Sequence, residues 1–242
     1  HHTYKTVTVF GGTGFIGRQV VRALAQEGWR IKVATRVPER AYFLKTAGFP
    51  GQVVPVACNY NDSEHIAEVV RGSDAAVNCI GILYERGKKN TFQKAHIDIP
   101  TAVAMACARE DVQRLVHISV PGLSTNASLY AQTKLTGEQA VQEYFPAATI
   151  LQPSIVFGEN DNFFNKFAQL AQIMPAFPLI GGGKTKFQPV YVGDVAAAVV
   201  AALTINRTDA SDPRGQIYAL GGPDVVNFKE IYQIVFSYTG QK

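Results

Sequence analysis

The sequence predicts an α/β protein with a doubly wound parallel sheet, and three observations support this fold class. Apolar, β-branched segments alternate with segments of helical periodicity along most of the 242 residues. The strand segments are continuously apolar, as is typical of strands that helices cover on both faces. A glycine-rich turn joins the first strand to the first helix. Together these patterns predict a Rossmann fold with a small C-terminal cap or substrate subdomain.

The predicted strands follow one another at intervals that leave room for a helix between them. They cover residues 5–11, 30–35, 53–58, 75–81, 114–119, 148–153 and 216–220. Helical patterns cover residues 15–27, 62–71, 92–109, 129–144, 193–204 and 227–238. Asp62 directly precedes a helical pattern, a position typical of an N-cap.

The first predicted strand runs into Gly11, Gly14 and Gly17, which are spaced by three residues and followed by a helical pattern. In a phosphate-binding turn, one glycine permits the bend, one lets a pyrophosphate approach the backbone, and one lets the helix pack on the strand. The phosphates then lie at a helix N-terminus, where free N–H groups favour negative charge. The motif predicts a dinucleotide site with Phe15 and Ile16 among its contacts, and the alternative is a purely structural glycine turn.

The end of the second strand bears on which dinucleotide binds. Sites for NAD usually carry Asp or Glu about twenty residues after the glycines, where the carboxylate binds the ribose 2′-hydroxyl. This chain has Thr35 and Arg36 there, with Arg40 four residues further on. A carboxylate would repel a 2′-phosphate, whereas a guanidinium can bind it through parallel hydrogen bonds. We therefore expect NADP(H) rather than NAD(H), and the alternative is that Arg36 is a solvated loop charge.

Composition and charge argue against several other functions. The formal net charge of +4 is modest and the basic residues are scattered, which is not typical of nucleic-acid binding. Three widely spaced cysteines form no Cys-x-x-Cys pair, so we expect reduced thiols in a reducing compartment. His96 and His117 have no second histidine at ligand spacing, and we expect no metal site. No apolar run reaches transmembrane length and no signal peptide is visible; His1 and His2 resemble the remnant of a purification tag.

We expect a dinucleotide-binding domain at residues 3–153 and a smaller subdomain at 154–242, with elements that return to the first domain. The segment 154–190 is rich in Phe, Gly and Pro and does not fit a regular parallel sheet. An insertion beyond the carboxyl ends of the strands is where a substrate would be enclosed. A cap with its own small core is an equal alternative, and docking on a membrane-bound complex or lipid is another. The chain stops at Lys242 without an obvious closing element, so we expect further residues after it.

A second candidate site lies on the helix that follows the fifth strand. Tyr130 and Lys134 are four residues apart, which places them on one helix face, and Ser119 ends the preceding strand. The ammonium group and a nearby nicotinamide cation would lower the pKa of the phenol. Tyr130 could then act as a general acid or base toward a carbonyl or alcohol, while Ser119 donates to the substrate oxygen. The spacing alone also fits a surface Tyr–Lys pair, but its place opposite the glycine turn favours catalysis.

These residues, with Asn78–Gly81 and Pro153–Gly158, resemble the extended or atypical short-chain dehydrogenase/reductase superfamily, which is epimerase/dehydratase-like, over nearly the whole chain. The resemblance implies cofactor contacts from Gly11, Gly14, Gly17, Arg36, Ile80, Lys134, Pro153, Ser154, Ile155 and Val156, with Gly81 and Tyr130 as further candidates. Asn59 stands where the superfamily usually has Asp near the adenine, and Tyr60 follows it.

Seven segments, Lys186–Val195 above all, resemble the branch of this superfamily that contains the nucleotide-binding accessory subunit of respiratory complex I and its bacterial relatives. The other six are His117–Ser119, Phe145–Pro146, Pro153–Ser154, Phe157–Gly158, Asp161–Phe163 and Pro178–Leu179. This resemblance implies tightly held NADPH in a largely structural role. It also implies respiratory complex I or another membrane-associated protein as a partner. The location it implies is cytoplasmic or peripheral at the inner membrane, on the matrix side in an organelle.

Two departures bear on the reaction. Val120 and Pro121 follow Ser119, so the Asp–Glu pair that sugar-nucleotide dehydratases use is absent, and Tyr130 follows Ser119 by only eleven positions. These departures argue against a dehydratase. The intact Tyr–Lys pair leaves open an NADPH-dependent oxidoreductase or epimerase that acts on a sugar nucleotide or a quinone-like carbonyl. A third hypothesis is a non-enzymatic NADP(H) redox sensor that changes partners.

Overall fold

The computed structural model of the protein describes residues 5–88, 90–123, 128–159, 186–205, 211–227, 229–231 and 233. Its strands are β1 (Thr6–Phe10), β2 (Arg30–Thr35), β3 (Val53–Ala57), β4 (Ala75–Asn78), β5 (Arg114–Ile118), β6 (Thr149–Pro153), β7 (Val156–Phe157), β8 (Lys186–Phe187), β9 (Val190–Tyr191), β10 (Ile217–Leu220) and β11 (Val226–Asn227). Its α-helices are α1 (Phe15–Gln26), α2 (Ser63–Val70), α3 (Ile99–Arg109), α4 (Leu129–Tyr144) and α5 (Val192–Thr204). A 3₁₀-helix covers Pro38–Ala47, and a π-helical turn over Gln93–Asp98 leads into α3.

The main sheet has seven strands in the order β10-β6-β5-β4-β1-β2-β3, and all neighbours are parallel. This arrangement confirms the predicted fold class. From β1 the chain moves outward to β2 and β3, and it then returns to β4 on the other side of β1. At such a reversal the connections on either side diverge, which leaves a crevice at the carboxyl ends of β1 and β4.

Helices cover both faces of the sheet. On one face α1 packs against α5, with the 3₁₀-helix beside them, and on the other face α2, α3 and α4 lie side by side. The side chains of β1 pack on both faces of the sheet. Val7 and Val9 lie in the core under α1, and Phe10 lies in the core under α2 and α3. Of the helices that the structure describes, none combines the length and hydropathy needed to cross a bilayer.

Two predicted elements differ in the structure. The strand predicted at 75–81 ends at Asn78, because the Asn78 side-chain oxygen accepts a hydrogen bond from the Ile80 N–H (3.0 Å) and turns the chain out of the sheet. The helix predicted at 92–109 contains the π-helical turn before α3. The 3₁₀-helix at Pro38–Ala47 was not predicted, since its apolar residues show no helical periodicity.

The C-terminal part of the chain contributes to the main sheet. β10 pairs with β6, and α5 packs on α1, while β7 pairs with β9 and β8 with β11 in two small sheets. Residues 160–185, which include most of the Phe-rich segment, Asp161–Phe163 and Pro178–Leu179, lie outside the described residues. The division into domains at 3–153 and 154–242 therefore stays a prediction.

We expect the Asp62→Ala variant to lose about 1 kcal/mol of unfolding free energy, because Asp62 caps helix α2. One carboxylate oxygen accepts hydrogen bonds from the N–H groups of Glu64 (3.0 Å) and His65 (3.3 Å), as the sequence predicted for an N-cap. Urea denaturation measures the loss. Asp62→Asn is the control, since its amide oxygen can accept the same bonds, and equal losses in both variants would contradict the capping role.

Candidate functional site

The glycine turn between β1 and α1 forms the floor of the crevice. Gly11 has a φ of 74°, and a Cβ added there would lie 3.0 Å from backbone atoms of Cys79 and Ile80. A Cβ on Gly17 would lie 2.1 Å from the Gly11 carbonyl oxygen, so only glycine lets α1 start this close to the turn. At Gly14 the nearest such atom is 3.2 Å away. The turn therefore presents bare backbone at the N-terminus of α1, as a bound pyrophosphate requires.

A cavity of about 400 Å³ opens beside this turn, and it contains the predicted residues for the adenine side of a dinucleotide. The predicted residues in its lining are Gly11, Gly14, Arg36, Asn59, Tyr60, Ile80 and Gly81. The Arg36 guanidinium lies 3.5 Å from the side-chain oxygen of Asn90 across the cavity. Arg36 and Lys94 are the charged side chains of the described lining, which contains no carboxylate. The cavity is thus suited to a phosphate and has no group that would repel one.

Tyr60 lines the first cavity and holds the loop after β3 in place. Its hydroxyl donates a hydrogen bond to the Ala34 carbonyl (2.8 Å), and its ring lies 6.3 Å from that of Phe10. Burial raises the pKa of Tyr60, so the phenol stays neutral. The neighbouring Asn59 side chain accepts a hydrogen bond from the Asn61 N–H (3.1 Å). These contacts tie the loop after β3 to the end of β2.

A second cavity, of about 450 Å³, lies on the other side of the glycine turn. The predicted residues in its lining are Phe15, Ile16, Ser119, Tyr130, Pro153, Ser154, Ile155 and Val156. Ser119 is 2% exposed, and its hydroxyl is the single buried side-chain oxygen or nitrogen without a partner in the described part of the chain. An unsatisfied buried hydroxyl costs free energy, so this group is available to a ligand in the cavity.

Lys134 lies in the core between the two cavities. It is 5% exposed, and its ammonium group donates a hydrogen bond to the Ile118 carbonyl (3.2 Å). A Cβ added at Gly81 would lie 3.6 Å from the Lys134 nitrogen, which places that nitrogen at the edge of the first cavity. Burial lowers the pKa of Lys134 to about 8, while the Glu138 carboxylate and the Cys79 sulfur oppose the shift.

The environment of Tyr130 differs from the expectation. Its ring contacts those of Phe92 and His96 edge-on, with centroids 5.7 Å and 5.2 Å apart. Burial raises the pKa of Tyr130, so the expected decrease is wrong for the protein on its own. The physical reason is that desolvation of the phenol dominates, while the ammonium of Lys134 donates to a backbone carbonyl.

Two buried histidines hold the segment 79–82, which lines the first cavity. On one side, His117 contacts the Asn78 side-chain amide (3.2 Å), whose oxygen accepts from the Ile80 N–H. On the other side, one His96 ring nitrogen lies 3.1–3.2 Å from the backbone of Ile82, and the second lies 3.0 Å from the Thr133 hydroxyl. Burial lowers the pKa of His96 to about 4 and holds that of His117 well below its usual value. Both are therefore neutral positioning groups of the core.

Helix α4 can approach the π-helical turn because residue 137 is glycine. A Cβ at Gly137 would lie 1.6 Å from the carbonyl oxygen of His96. Lys134 precedes Gly137 by about one turn of α4 and lies against segment 79–82. Tyr130 precedes Gly137 by about two turns and lies against Phe92 and His96. Widened turns of the π type are common at functional sites.

Some predicted contacts do not line either cavity, and some lining residues were not predicted. Gly17 is buried beneath the turn, and Arg40 is exposed outside the first cavity. Lining residues that sequence reasoning missed include Asn90, Thr91, Lys94 and Leu83. They come from the loop and turn between β4 and α3, where no motif marks them. Among the described residues no group of three or more His, Cys, Asp or Glu side chains could hold a metal ion.

The unfolding free energy should rise with pH because of Lys134. In the unfolded chain a lysine titrates near 10.5, whereas the folded pKa is about 8. Between these values the unfolded state holds a proton that the folded state has released, so stability increases with pH. The gain from Lys134 across this window is about 3 kcal/mol.

Urea denaturation of wild type and Lys134→Met over this pH range measures that gain. The difference between the two proteins is the relevant quantity, because the thiols of Cys58, Cys79 and Cys107, whose pKa values are raised by desolvation, titrate in both. A difference that does not change with pH would contradict the lowered pKa.

Comparison with known proteins gives one family match and several relatives. The model of a family described as the NAD dependent epimerase/dehydratase family matches residues 7–221. The mitochondrial NADH dehydrogenase [ubiquinone] 1 alpha subcomplex subunit 9 of Arabidopsis thaliana is 38% identical over 232 residues, which are 95% of this chain and 56% of that protein. The ceramide reductase of Caulobacter vibrioides is 28% identical over 195 residues, which are 81% of this chain and 60% of that protein. The chain thus spans little more than half the length of these relatives.

Solved structures share the fold at lower sequence identity. The UDP-glucuronic acid 4-epimerase of Bacillus cereus, solved in complex with UDP-glucuronic acid and NAD, superposes with a TM-score of 0.79. The two sequences are 19% identical, and the match covers 98% of this chain and 84% of the epimerase chain. At this identity the similarity establishes the fold alone.

Proposed function

Because the chain belongs to the NAD dependent epimerase/dehydratase family, we propose that it binds NADP(H) along the two cavities and retains it largely as a structural element. The family match over residues 7–221 confirms the resemblance predicted from the sequence. The family description specifies NAD dependence, so a nicotinamide dinucleotide is the supported class of cofactor. The 2′-phosphorylated form and the structural role are the finer parts of our proposal.

The observation that carries this proposal is the lining of the first cavity, which has Arg36 and Lys94 but no carboxylate among its described residues. Arg36 stands at the end of β2, where an NAD site has an acidic residue for the ribose hydroxyl. A guanidinium and an ammonium there would bind a 2′-phosphate, and the bare backbone at Gly11 and Gly14 would accept the pyrophosphate.

The second cavity fits the nicotinamide half. Lys134, at the border of the two cavities, would donate to a hydroxyl of the second ribose, and the backbone at Pro153–Val156 would line the ring. When bound, the cofactor supplies a hydride donor or acceptor at this position. The neutral His96 and His117 would keep segment 79–82 in place beneath the cofactor.

Competition between NADPH and NADH for the purified protein tests the cofactor assignment. We expect NADPH to bind at least about tenfold more tightly, which corresponds to one charge-assisted hydrogen bond. Equal affinities, or a preference for NADH, would contradict the assignment. For the structural role, we expect NADPH to remain bound through purification and its removal to lower the urea midpoint.

An active oxidoreductase is the second candidate function, and the unpartnered hydroxyl of Ser119 next to Tyr130 in the second cavity favours it. Ser119 would hold a carbonyl oxygen by a hydrogen bond, and Tyr130 would donate the proton that this oxygen gains. The ceramide reductase relative makes a long-chain ketone a suitable probe.

The test follows the absorbance of NADPH in the presence of such a ketone or of a quinone analogue, with wild type and Tyr130→Phe side by side. Consumption that requires Tyr130 supports an enzyme. If NADPH is stable in both proteins, the cofactor is a structural or redox-sensing element.

We further propose respiratory complex I, or a related membrane-associated assembly, as the partner. The support is that several relatives, whose sequences are 30–38% identical over most of this chain, are NADH dehydrogenase [ubiquinone] subunits, which belong to complex I. Co-migration of the tagged protein with complex I in native gels of source membranes would support the partner. Migration apart from it under conditions that keep the complex intact would contradict it.

A further inference from the structure

An exposed group of aromatic and basic side chains lies on the α1 face of the sheet, outside both cavities. Tyr42, Phe43 and Phe49 are 49%, 45% and 81% exposed. We call the group the aromatic–basic surface; it consists of Arg18, Arg22, Tyr42, Phe43, Lys45 and Phe49. Neither the core nor the proposed cofactor site uses these side chains, apart from the Arg18 head group, which also donates to the carbonyls of Thr13 and Gly14.

The aromatic rings of this surface are paired with cations. The Arg18 guanidinium lies 5.4 Å from the centre of the Phe43 ring, and the Lys45 ammonium lies 4.2 Å from that of Tyr42. Arg22 is exposed one turn after Arg18 on α1. Aromatic rings beside Lys and Arg are typical of surfaces that lie at the interface between lipid head groups and acyl chains.

Phe49 is held outward by a fixed loop. Its N–H donates to the side-chain oxygen of Gln52 (2.9 Å), and the Gln52 amide donates to the carbonyls of Ala25 (2.7 Å) and Trp29 (3.1 Å). The loop is therefore tied to the C-terminal end of α1. Inserting Phe49 into an apolar phase would require no reordering of this loop.

The charged residues of this region are mostly basic. Helix α1 and the 3₁₀-helix together carry the four basic residues Arg18, Arg22, Arg40 and Lys45, against the single acidic residue Glu39. In the part of the chain that the structure describes, none of the four basic side chains forms an ion pair with a carboxylate. Unpaired cations around projecting rings complement a negatively charged lipid surface.

We propose that the aromatic–basic surface docks the protein on an anionic lipid bilayer, with Phe49 inserted among the head groups and the basic side chains against the lipid phosphates. The surface consists of projecting rings on a short helix and a loop tip, rather than a groove that would receive a protein segment. This inference goes beyond the proposed cofactor function and does not depend on it.

Co-sedimentation of the full chain with vesicles tests the proposal. The vesicles contain phosphatidylcholine alone or phosphatidylcholine mixed with phosphatidylglycerol. We expect sedimentation with the mixed vesicles only, and less of it as salt is added. We expect Phe49→Ser to weaken binding at least about tenfold and each of Arg22→Gln and Lys45→Gln about fivefold.

Met105→Ser is the matched control, because Met105 is 50% exposed on α3, on the opposite face of the sheet. It should bind vesicles as wild type does, and all variants should keep the wild-type NADPH affinity. Absence of sedimentation with either vesicle would overturn the proposal, as would equal losses in Met105→Ser and Phe49→Ser. Concentration-dependent dimerisation that Phe49→Ser abolishes, without vesicle binding, would show that a second copy covers this surface instead.

Discussion

The Gly137→Ala variant should lose about 3 kcal/mol or more of unfolding free energy, although alanine favours helices over glycine. The added Cβ would lie 1.6 Å from the His96 carbonyl oxygen, which is less than half of a normal contact distance. Because that oxygen belongs to the backbone of the π-helical turn, no side-chain rotation can relieve the overlap. Helix α4 must move away, and the Tyr130 ring must then separate from the rings of Phe92 and His96.

Urea denaturation measures this loss, and Thr136→Ala is the matched control. Thr136 precedes Gly137 on α4 and is exposed, so its replacement should change the free energy of unfolding by less than about 0.5 kcal/mol. Gly137→Ala should also weaken NADPH binding, since α4 carries Tyr130 and Lys134. A variant as stable as wild type would show that α4 and the turn are less tightly packed than the structure indicates.

The second large effect is expected at Arg36. If its guanidinium binds a 2′-phosphate, Arg36→Ala should weaken NADPH binding by about 1.5–3 kcal/mol, which is roughly 10- to 150-fold. The affinity for NADH should change little, because NADH has no 2′-phosphate. Titration of the intrinsic or cofactor fluorescence with both nucleotides measures the two affinities.

Arg40→Ala is the control for net charge. The Arg40→Ala substitution removes the same charge four residues later. Arg40 is exposed and does not line the first cavity. The Arg40 variant should keep the wild-type preference for NADPH. Equal losses for NADPH and NADH in Arg36→Ala, or equal effects of the two arginines on NADPH, would contradict a specific phosphate contact.

Most of the fold could be predicted because its signals are local. Each buried parallel strand is a short apolar run, and Gly11, Gly14 and Gly17 mark the first turn within seven residues. Tertiary interactions set the details that were missed. Asn78 ends β4 because its side chain bonds to Ile80, and the π-helical turn is packed closely against Gly137; neither contact is visible in hydrophobic periodicity.

The candidate site, like the fold, was predicted where its signals are local and missed where they depend on tertiary structure. The motifs located Ser119, Tyr130 and the glycine turn, since each lies at the end of a predictable strand or on a predictable helix. Lys94 and Asn90 reach the first cavity through an irregular segment, so no spacing could identify them. The raised pKa of Tyr130 depends on burial by Phe92 and His96, which only the folded protein shows.

The pairing of β10 with β6 has a consequence for synthesis on the ribosome. Ile217 pairs with Ile150, so strand β6 has no outer neighbour until 67 further residues have been synthesised. At about 5–20 residues per second, this interval is roughly 3–13 seconds. During it the backbone of β6 is an open edge that another nascent chain could join. We therefore expect aggregation of truncated chains that end before residue 217 and its suppression once β10 is present.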